Sequence, residues 1–125
     1  MKLVKKINVL GTPYSVYRVK ADENEYMSKM NYGGMCTTDD HRIYYLDLST
    51  VPNWDDEPEK VRKSQENCTL RHEVIHAFFN ESGLQWNSFA PEKAWAKNEE
   101  MVDWFAIQFP KIYAVYQQLG IMRGA

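Results

Sequence analysis

Alternating apolar and polar positions mark four short strands in the first half of the chain. Residues 3–10 and 14–20 are rich in Val, Ile and Tyr and flank a Gly-Thr-Pro turn, which predicts a β-hairpin. Residues 35–37 and 42–48 flank a Thr-Asp-Asp turn and predict a second hairpin, whose longer run alternates along one face. A capping-box spacing predicts a short helix over residues 22–30, between the two hairpins.

Helical periodicity replaces this alternation in the second half. Asp56 is the predicted N-cap of a long helix over residues 57–80. A second helix is predicted over residues 91–109, where Pro110 interrupts it, and a short helix follows over residues 111–119. Strands first and helices second predict an α+β fold with an antiparallel or mixed sheet of three to four strands.

Composition narrows the class of protein. A chain of 125 residues, 44% apolar and 26% charged, suits one globular domain over residues 1–125. The formal net charge of -2 and the pI of about 5.9 give no general attraction to nucleic acid or to an anionic membrane. We therefore expect a protein or peptide as the partner, while the sequence does not indicate an oligomeric state.

Neither an export signal nor a membrane span is apparent in the sequence. Lys5, Lys6 and Asn8 interrupt the apolar residues near the start, and no apolar run reaches transmembrane length. Cys36 and Cys68 lie far apart, without the spacing of a metal-binding pair or a disulfide framework. We expect reduced thiols and a cytoplasmic location.

The long predicted helix carries the pattern H-E-x-x-H at residues 72–76. Side chains four positions apart lie on one face of a helix with Cβ atoms roughly 6 Å apart, so His72 and His76 can reach one metal ion. Glu73 can place its carboxylate beside the ion rather than on it, where it can take a proton from water. The pattern therefore predicts a zinc site with Glu73 as the general base.

A catalytic zinc ion needs a third protein ligand and one open position. The second predicted helix has an apolar stripe that consists of Trp95, Val102, Ala106 and Phe109. Glu99 lies beside this stripe and Asp103 lies one turn further on, whereas Glu100 points away. We expect Glu99, as a carboxylate facing the core, to be the third ligand, and Asp103 to accept a hydrogen bond from a ligating histidine. The alternative is an exposed acidic helix face with nothing bound.

This arrangement resembles a known family. The H-E-x-x-H helix followed by E-x-x-x-D at residues 99–103 resembles the zinc site of gluzincin peptidases. Residues 58–110, in which a Phe-Ala pair and a proline close the second helix, are similar to the ImmA/IrrE-like metallopeptidases of bacteria and their mobile elements. Asp103 stands where that family often has asparagine. The resemblance implies a small zincin-like fold with an edge strand beside the zinc; residues 42–48 are the candidate, and an internal strand is the alternative.

Together these features predict a zinc-dependent metallopeptidase that hydrolyses a peptide bond in a protein or peptide substrate. His72, His76 and Glu99 would bind Zn2+, which lowers the pKa of water and polarises the scissile carbonyl, while Glu73 moves the proton to the leaving amine. The resemblance implies a regulatory protein of a bacterium, phage or mobile element. The alternative is a non-catalytic, zinc-containing module that binds a partner on a peptidase scaffold. His41 is either an exposed turn residue or a residue near the cleft.

Overall fold

The chain folds into a four-stranded mixed sheet packed against helices, which confirms the predicted α+β class. The computed structural model describes residues 1–84 and 99–122. Within these ranges the elements, in chain order, are strands β1 (Lys2–Val9) and β2 (Thr12–Val19), helix α1 (Glu25–Met30), strands β3 (Gly34–Thr37) and β4 (Arg42–Leu46), a 3-10 helix (Leu48–Thr50), and helices α2 (Glu59–Glu81) and α3 (Glu99–Leu119).

The order of strands in the sheet is β1-β2-β4-β3. Both predicted hairpins are present, since β1 pairs with β2 and β3 pairs with β4 in antiparallel register. The two hairpins join through a parallel pairing of β2 with β4, from Ser15 opposite Arg42 to Val19 opposite Leu46. The crossover between β2 and β4 is long enough to hold both α1 and β3. The expectation that residues 42–48 form an edge strand was therefore wrong, and the alternative of an internal strand is confirmed. Among the described strands, the two edges of the sheet are β1 and β3.

Two helix starts differ from the prediction. Helix α1 begins after Asn24, whose side chain accepts a hydrogen bond from the Met27 backbone N–H, rather than after Asp22. This start places Met27 fully buried beneath the sheet. Helix α2 begins after Pro58, which has no side chain able to cap it, so the predicted N-cap at Asp56 was wrong.

Helix α2 crosses one face of the sheet and covers the main apolar cluster, whose buried members are Val9, Tyr14, Val16, Ile43, Tyr45 and Ala77. Its orientation is also fixed by an ion pair between half-buried Arg18 and buried Glu66. Arg18 on β2 donates two hydrogen bonds of 3.0 Å to Glu66, which also accepts the Leu48 backbone N–H at 3.0 Å. Because these contacts satisfy the buried carboxylate, they hold α2 in one register over the sheet.

Helix α3 runs through Pro110 without a break, so the predicted interruption at this residue was wrong. Proline supplies no N–H to the carbonyl four residues earlier, which is that of Ala106. In the structure Arg71 of α2 donates its Nε hydrogen to that carbonyl at 3.3 Å. A side chain thus replaces the missing helix hydrogen bond. The predicted start of this helix at residue 91, and Trp95 of its apolar stripe, lie outside the described residues.

In the described ranges, no helix is both long enough and apolar enough to cross a membrane. Helices α2 and α3 have 23 and 21 residues, but charged residues interrupt both; in α3 these are Glu99, Glu100, Asp103 and Lys111. The predicted apolar stripe holds in part, because Val102 and Ala106 are buried whereas Phe109 is half exposed.

Candidate metal centre

Helix α2 brings His72, Glu73 and His76 together at its middle. One ligand atom from each of the three side chains lies within 4.8 Å of the other two, so this group could hold a metal ion. The helix interior supplies the rigidity that such a site needs, because four-residue spacing puts both imidazoles on one face. That face meets α3, whose Glu99 and Asp103 contact the histidines.

Glu99, at the described start of α3, meets both histidines. Its carboxylate oxygens lie 3.0 Å from His72 Nε2 and 3.1 Å from His76 Nε2, and the two Nε2 atoms lie 3.1 Å apart. A tetrahedral zinc ion with bonds of about 2.0–2.1 Å separates its ligand atoms by about 3.3 Å. The three side chains therefore form three corners of a coordination tetrahedron of nearly the required size.

Glu99 lies beside the histidines as predicted, but the predicted reason, a carboxylate facing the core, was wrong. The sequence suggested a carboxylate facing the core, but the Glu99 side chain is 65% exposed. Its approach to the histidines therefore follows from the packing of α3 on α2 and not from burial. Glu100 is exposed as well, and it does not line the cleft of the two histidines.

Asp103 takes the place predicted for it, next to a histidine of the pair. Its Oδ1 atom lies 2.5 Å from Nδ1 of His72. A carboxylate only accepts hydrogen bonds, so Nδ1 of His72 donates, and in the neutral imidazole Nε2 then presents a lone pair. That lone pair faces Nε2 of His76 and the carboxylate of Glu99. A metal ion bound between these three groups would accept an electron pair from each of them.

Burial keeps the second histidine neutral. Removal from water lowers the pKa of His76, and this effect exceeds the opposing effect of the Glu99 carboxylate. A neutral imidazole is the form that binds a metal ion. The chemistry of the donor set, two imidazoles and one carboxylate, is that of catalytic zinc sites.

Glu73 lies beside this trio and is only 7% exposed. Burial raises the pKa of its carboxyl to about 7; the nearby His72 opposes the rise, and the charges of Glu99 and Asp103 add to it. A carboxyl with a pKa near neutrality can both take up and release a proton at physiological pH.

The wall opposite the histidines is strand β3, which sequence reasoning did not include in the site. The cleft has a volume of about 600 Å³, and its β3 side is formed by Gly34, Met35 and Cys36, with Tyr32 just before the strand. A Cβ atom on Gly34 would lie 3.0 Å from Glu73 Oε2, so the strand approaches the carboxylate closely. Glycine at position 34 is the sequence signal for this approach, because it has no Cβ atom.

Two other side chains complete the description. Cys36 is a free thiol, and burial, followed by the charge of Glu73, raises its pKa to about 12, so it stays protonated in the cleft. His41 does not line the cleft. Its ring packs on Tyr14 at 5.1 Å, and its Nε2 lies 4.0 Å from Glu81, at the far end of α2. Of the two alternatives for His41, the position near the cleft was wrong.

Comparison with known proteins adds no relative: no protein-family model matches the chain, and neither a curated protein nor a solved structure matches it significantly.

Proposed function

We propose that this protein is a zinc-dependent peptidase with His72, His76 and Glu99 as its zinc ligands. The observation that carries the proposal is the convergence of two imidazole nitrogens and one carboxylate at separations of 3.0–3.1 Å. The nearly buried Glu73 beside them is a group that a purely structural zinc site does not need. A zinc ion held there lowers the pKa of water and polarises a carbonyl group.

Among the described residues no strand pairs with the outer edge of β3, and this free edge supports a peptide as the substrate. The Leu46 N–H bonds to the Gly33 carbonyl, and hydrogen-bonded pairs alternate along an antiparallel ladder. The backbone groups of Gly34 and Cys36 therefore point away from β4, toward the cleft. An extended peptide can bind to these groups as an added strand, which would place its backbone beside Glu73.

Each residue has a distinct task in this proposal. Asp103 holds His72 in the tautomer that leaves its Nε2 free, as described above. Gly34 leaves room for the substrate backbone and for the Glu73 carboxyl, since any larger residue would contact that carboxyl. Glu73 takes a proton from the attacking water and delivers it to the leaving amine. His41 does not line the cleft and is too remote to stabilise an oxyanion there.

Hydrolysis by wild type and by Glu73→Gln tests the proposal directly. We expect the substitution to keep the zinc content and to lower cleavage of a peptide library by about a hundred- to ten-thousandfold. Glu100→Gln is the matched control, because Glu100 is an exposed carboxylate on α3 and lies outside the cleft. Cleavage by zinc-loaded Glu73→Gln at the wild-type rate would contradict the proposal. Stoichiometric zinc without cleavage in wild type would instead favour a non-catalytic binding module.

We also propose, from motif spacing, that the chain belongs to the ImmA/IrrE-like family and has a zincin-like fold. On the same ground we propose a regulatory role in a bacterium, phage or mobile element. Two features support them: the H-E-x-x-H helix leads to an E-x-x-x-D helix, and the sheet presents an edge strand to the same cleft. Asp103 remains a departure from that family.

A further inference from the structure

A second cavity adjoins the metal cleft at the start of β3. We name it the Trp54 cavity; it has a volume of about 200 Å³ and shares Tyr32 as a wall with the metal cleft. Its other walls include Leu46, Leu48, Val51, Trp54, Gln65 and Thr69. At about 30 Å³ for each water molecule, it has room for about six waters, which is the size of a large side chain.

The walls of the Trp54 cavity precede those of the metal cleft along both α2 and β3. Thr69 is four residues and Gln65 eight residues before Glu73 on α2, so these walls lie about 6 and 12 Å along the helix axis from the base. Gly33 belongs to the same cavity and precedes β3, so the cavity also lies beyond the start of the free edge. At about 3.3 Å per residue, an extended peptide on that edge reaches the cavity two to four positions from Glu73.

The walls of the cavity are ordered by local hydrogen bonds. The Trp54 and Asp55 backbone N–H groups both donate to the Val51 carbonyl at 3.0 Å, which fixes the turn that carries the indole. On the opposite side, the Thr69 methyl group packs against Gly34. The cavity is thus a preformed recess between two fixed elements, as ligand subsites commonly are.

The electrostatics of the cavity disfavour a charged occupant. Its one ionisable acidic wall residue is Glu66, whose carboxylate already accepts hydrogen bonds from Arg18 and from the Leu48 N–H. An incoming lysine or arginine would therefore compete with a satisfied pair, and an incoming carboxylate would meet Glu66 itself. Trp54, Leu46 and Val51 offer apolar surface to an uncharged side chain instead.

We infer that the Trp54 cavity is a specificity subsite: it takes a large uncharged side chain of the peptide substrate, two to four positions to one side of the cleaved bond. Because this inference rests on the proposed function, its test must separate recognition from hydrolysis. The suitable probes are peptides of otherwise identical sequence that carry Ala, Leu, Phe, Glu or Lys at one of these positions.

Cleavage is the first measurement. For wild type we expect kcat/KM to be about tenfold or more higher with Leu or Phe than with Ala at one such position, and lowest with Glu or Lys. Trp54→Ala should reduce this preference mainly through KM, and Val51→Phe, which fills the cavity, should shift it toward Ala. Trp104→Ala is the control, since Trp104 is 53% exposed on α3 and lines neither cavity. The same preference in all four proteins would overturn the inference.

Binding is the second measurement and does not need hydrolysis. Glu73→Gln protein should bind the Leu and Phe peptides more tightly than the Ala peptide, with a change in tryptophan fluorescence that disappears in Glu73→Gln/Trp54→Phe. Thermal unfolding of each variant confirms that it is folded. Binding with this signature but without cleavage in wild type would refute the proposed hydrolysis and support the subsite. Equal affinity for all of the peptides would overturn the subsite. A fluorescence change that persists in Glu73→Gln/Trp54→Phe would overturn it as well.

Discussion

The close approach of Gly34 to helix α2 makes a quantitative prediction about a single methyl group. A Cβ atom at this position would lie 2.6 Å from Cγ2 of Thr69, 3.0 Å from Glu73 Oε2 and 3.1 Å from Glu73 Cγ. Ordinary contacts between carbon atoms are about 3.5–4.0 Å, so Gly34→Ala requires a displacement of about 1 Å between β3 and α2. Such overpacking costs about 1–3 kcal/mol of unfolding free energy.

The neighbouring glycine is the matched control. A Cβ atom on Gly33 would meet no atom within 4 Å, and neither glycine has a positive φ. Gly33→Ala should therefore be neutral or slightly stabilising, because alanine restricts the unfolded chain. With about 4 °C per kcal/mol for a domain of this size, Gly34→Ala should lower the Tm by about 4–12 °C. Thermal unfolding followed by circular dichroism measures both variants.

A third variant isolates the cause. Thr69→Ser removes the methyl group that is nearest to the added Cβ, so the double variant Gly34→Ala/Thr69→Ser should recover part of the lost Tm. Peptide hydrolysis by Gly34→Ala should fall by about ten- to a hundredfold with zinc retained, because Glu73 is displaced. Equal Tm values for the two glycine variants, or no recovery in the double variant, would refute the proposed contact.

Two further predictions concern the framework of the site. Arg71→Met should lower the unfolding free energy by about 1–2 kcal/mol, because the Ala106 carbonyl loses its donor. The loss should be much smaller in a Pro110→Ala background, where residue 110 supplies its own N–H to that carbonyl. Equal losses in urea titrations of both backgrounds would contradict this explanation. Burial opposes ionisation of Asp47, but hydrogen bonds from Ser49 and the charge of Arg18 outweigh it and lower the pKa of Asp47 below its ordinary 3.8. The resulting stabilisation is complete above pH 3.8 and is lost as the pH falls through the lowered value, so Asp47→Asn should lose less unfolding free energy than wild type between about pH 5 and pH 2.

Features that depend on neighbouring residues could be predicted from the sequence. The two hairpins follow from alternation and turn residues, and the helix of His72 and His76 follows from its periodicity. Positions on one helix are fixed by the helix itself, so the two imidazoles lie on a common face as predicted. The placement of Glu99 within 3.1 Å of both histidines was also anticipated, but for a reason that its 65% exposure does not support.

Features that depend on distant residues were missed. Strand β4 is internal because it pairs in parallel with β2 across a long crossover, and alternation within a strand does not specify its neighbours. Pro110 stays within a helix because Arg71, 35 positions earlier, supplies the missing donor. The β3 wall of the cleft escaped notice for the same reason: Gly34 meets Glu73 only after the sheet and α2 have packed.

The N-cap of α1 also could not be predicted from local sequence. Asp22 and Asn24 are both good N-cap residues, and their local sequences do not decide between them. Asn24 caps α1 in the structure, and Met27 is then buried against Val19 and Tyr44. Tertiary packing, which has no local signature, made the selection.

The most direct test of the zinc site is a competition titration with a zinc chelator. Glu99→Gln and Glu100→Gln each neutralise one exposed carboxylate of α3, and of these two residues only Glu99 reaches the histidines. Loss of a residue that merely supports a ligand costs about ten- to a hundredfold in metal affinity, so loss of a ligand should cost more. We predict one zinc ion per wild-type chain, unchanged affinity for Glu100→Gln, and an affinity lower by more than about a hundredfold for Glu99→Gln. Equal affinities in the two variants, or no stoichiometric zinc in wild type, would contradict the assignment of the site.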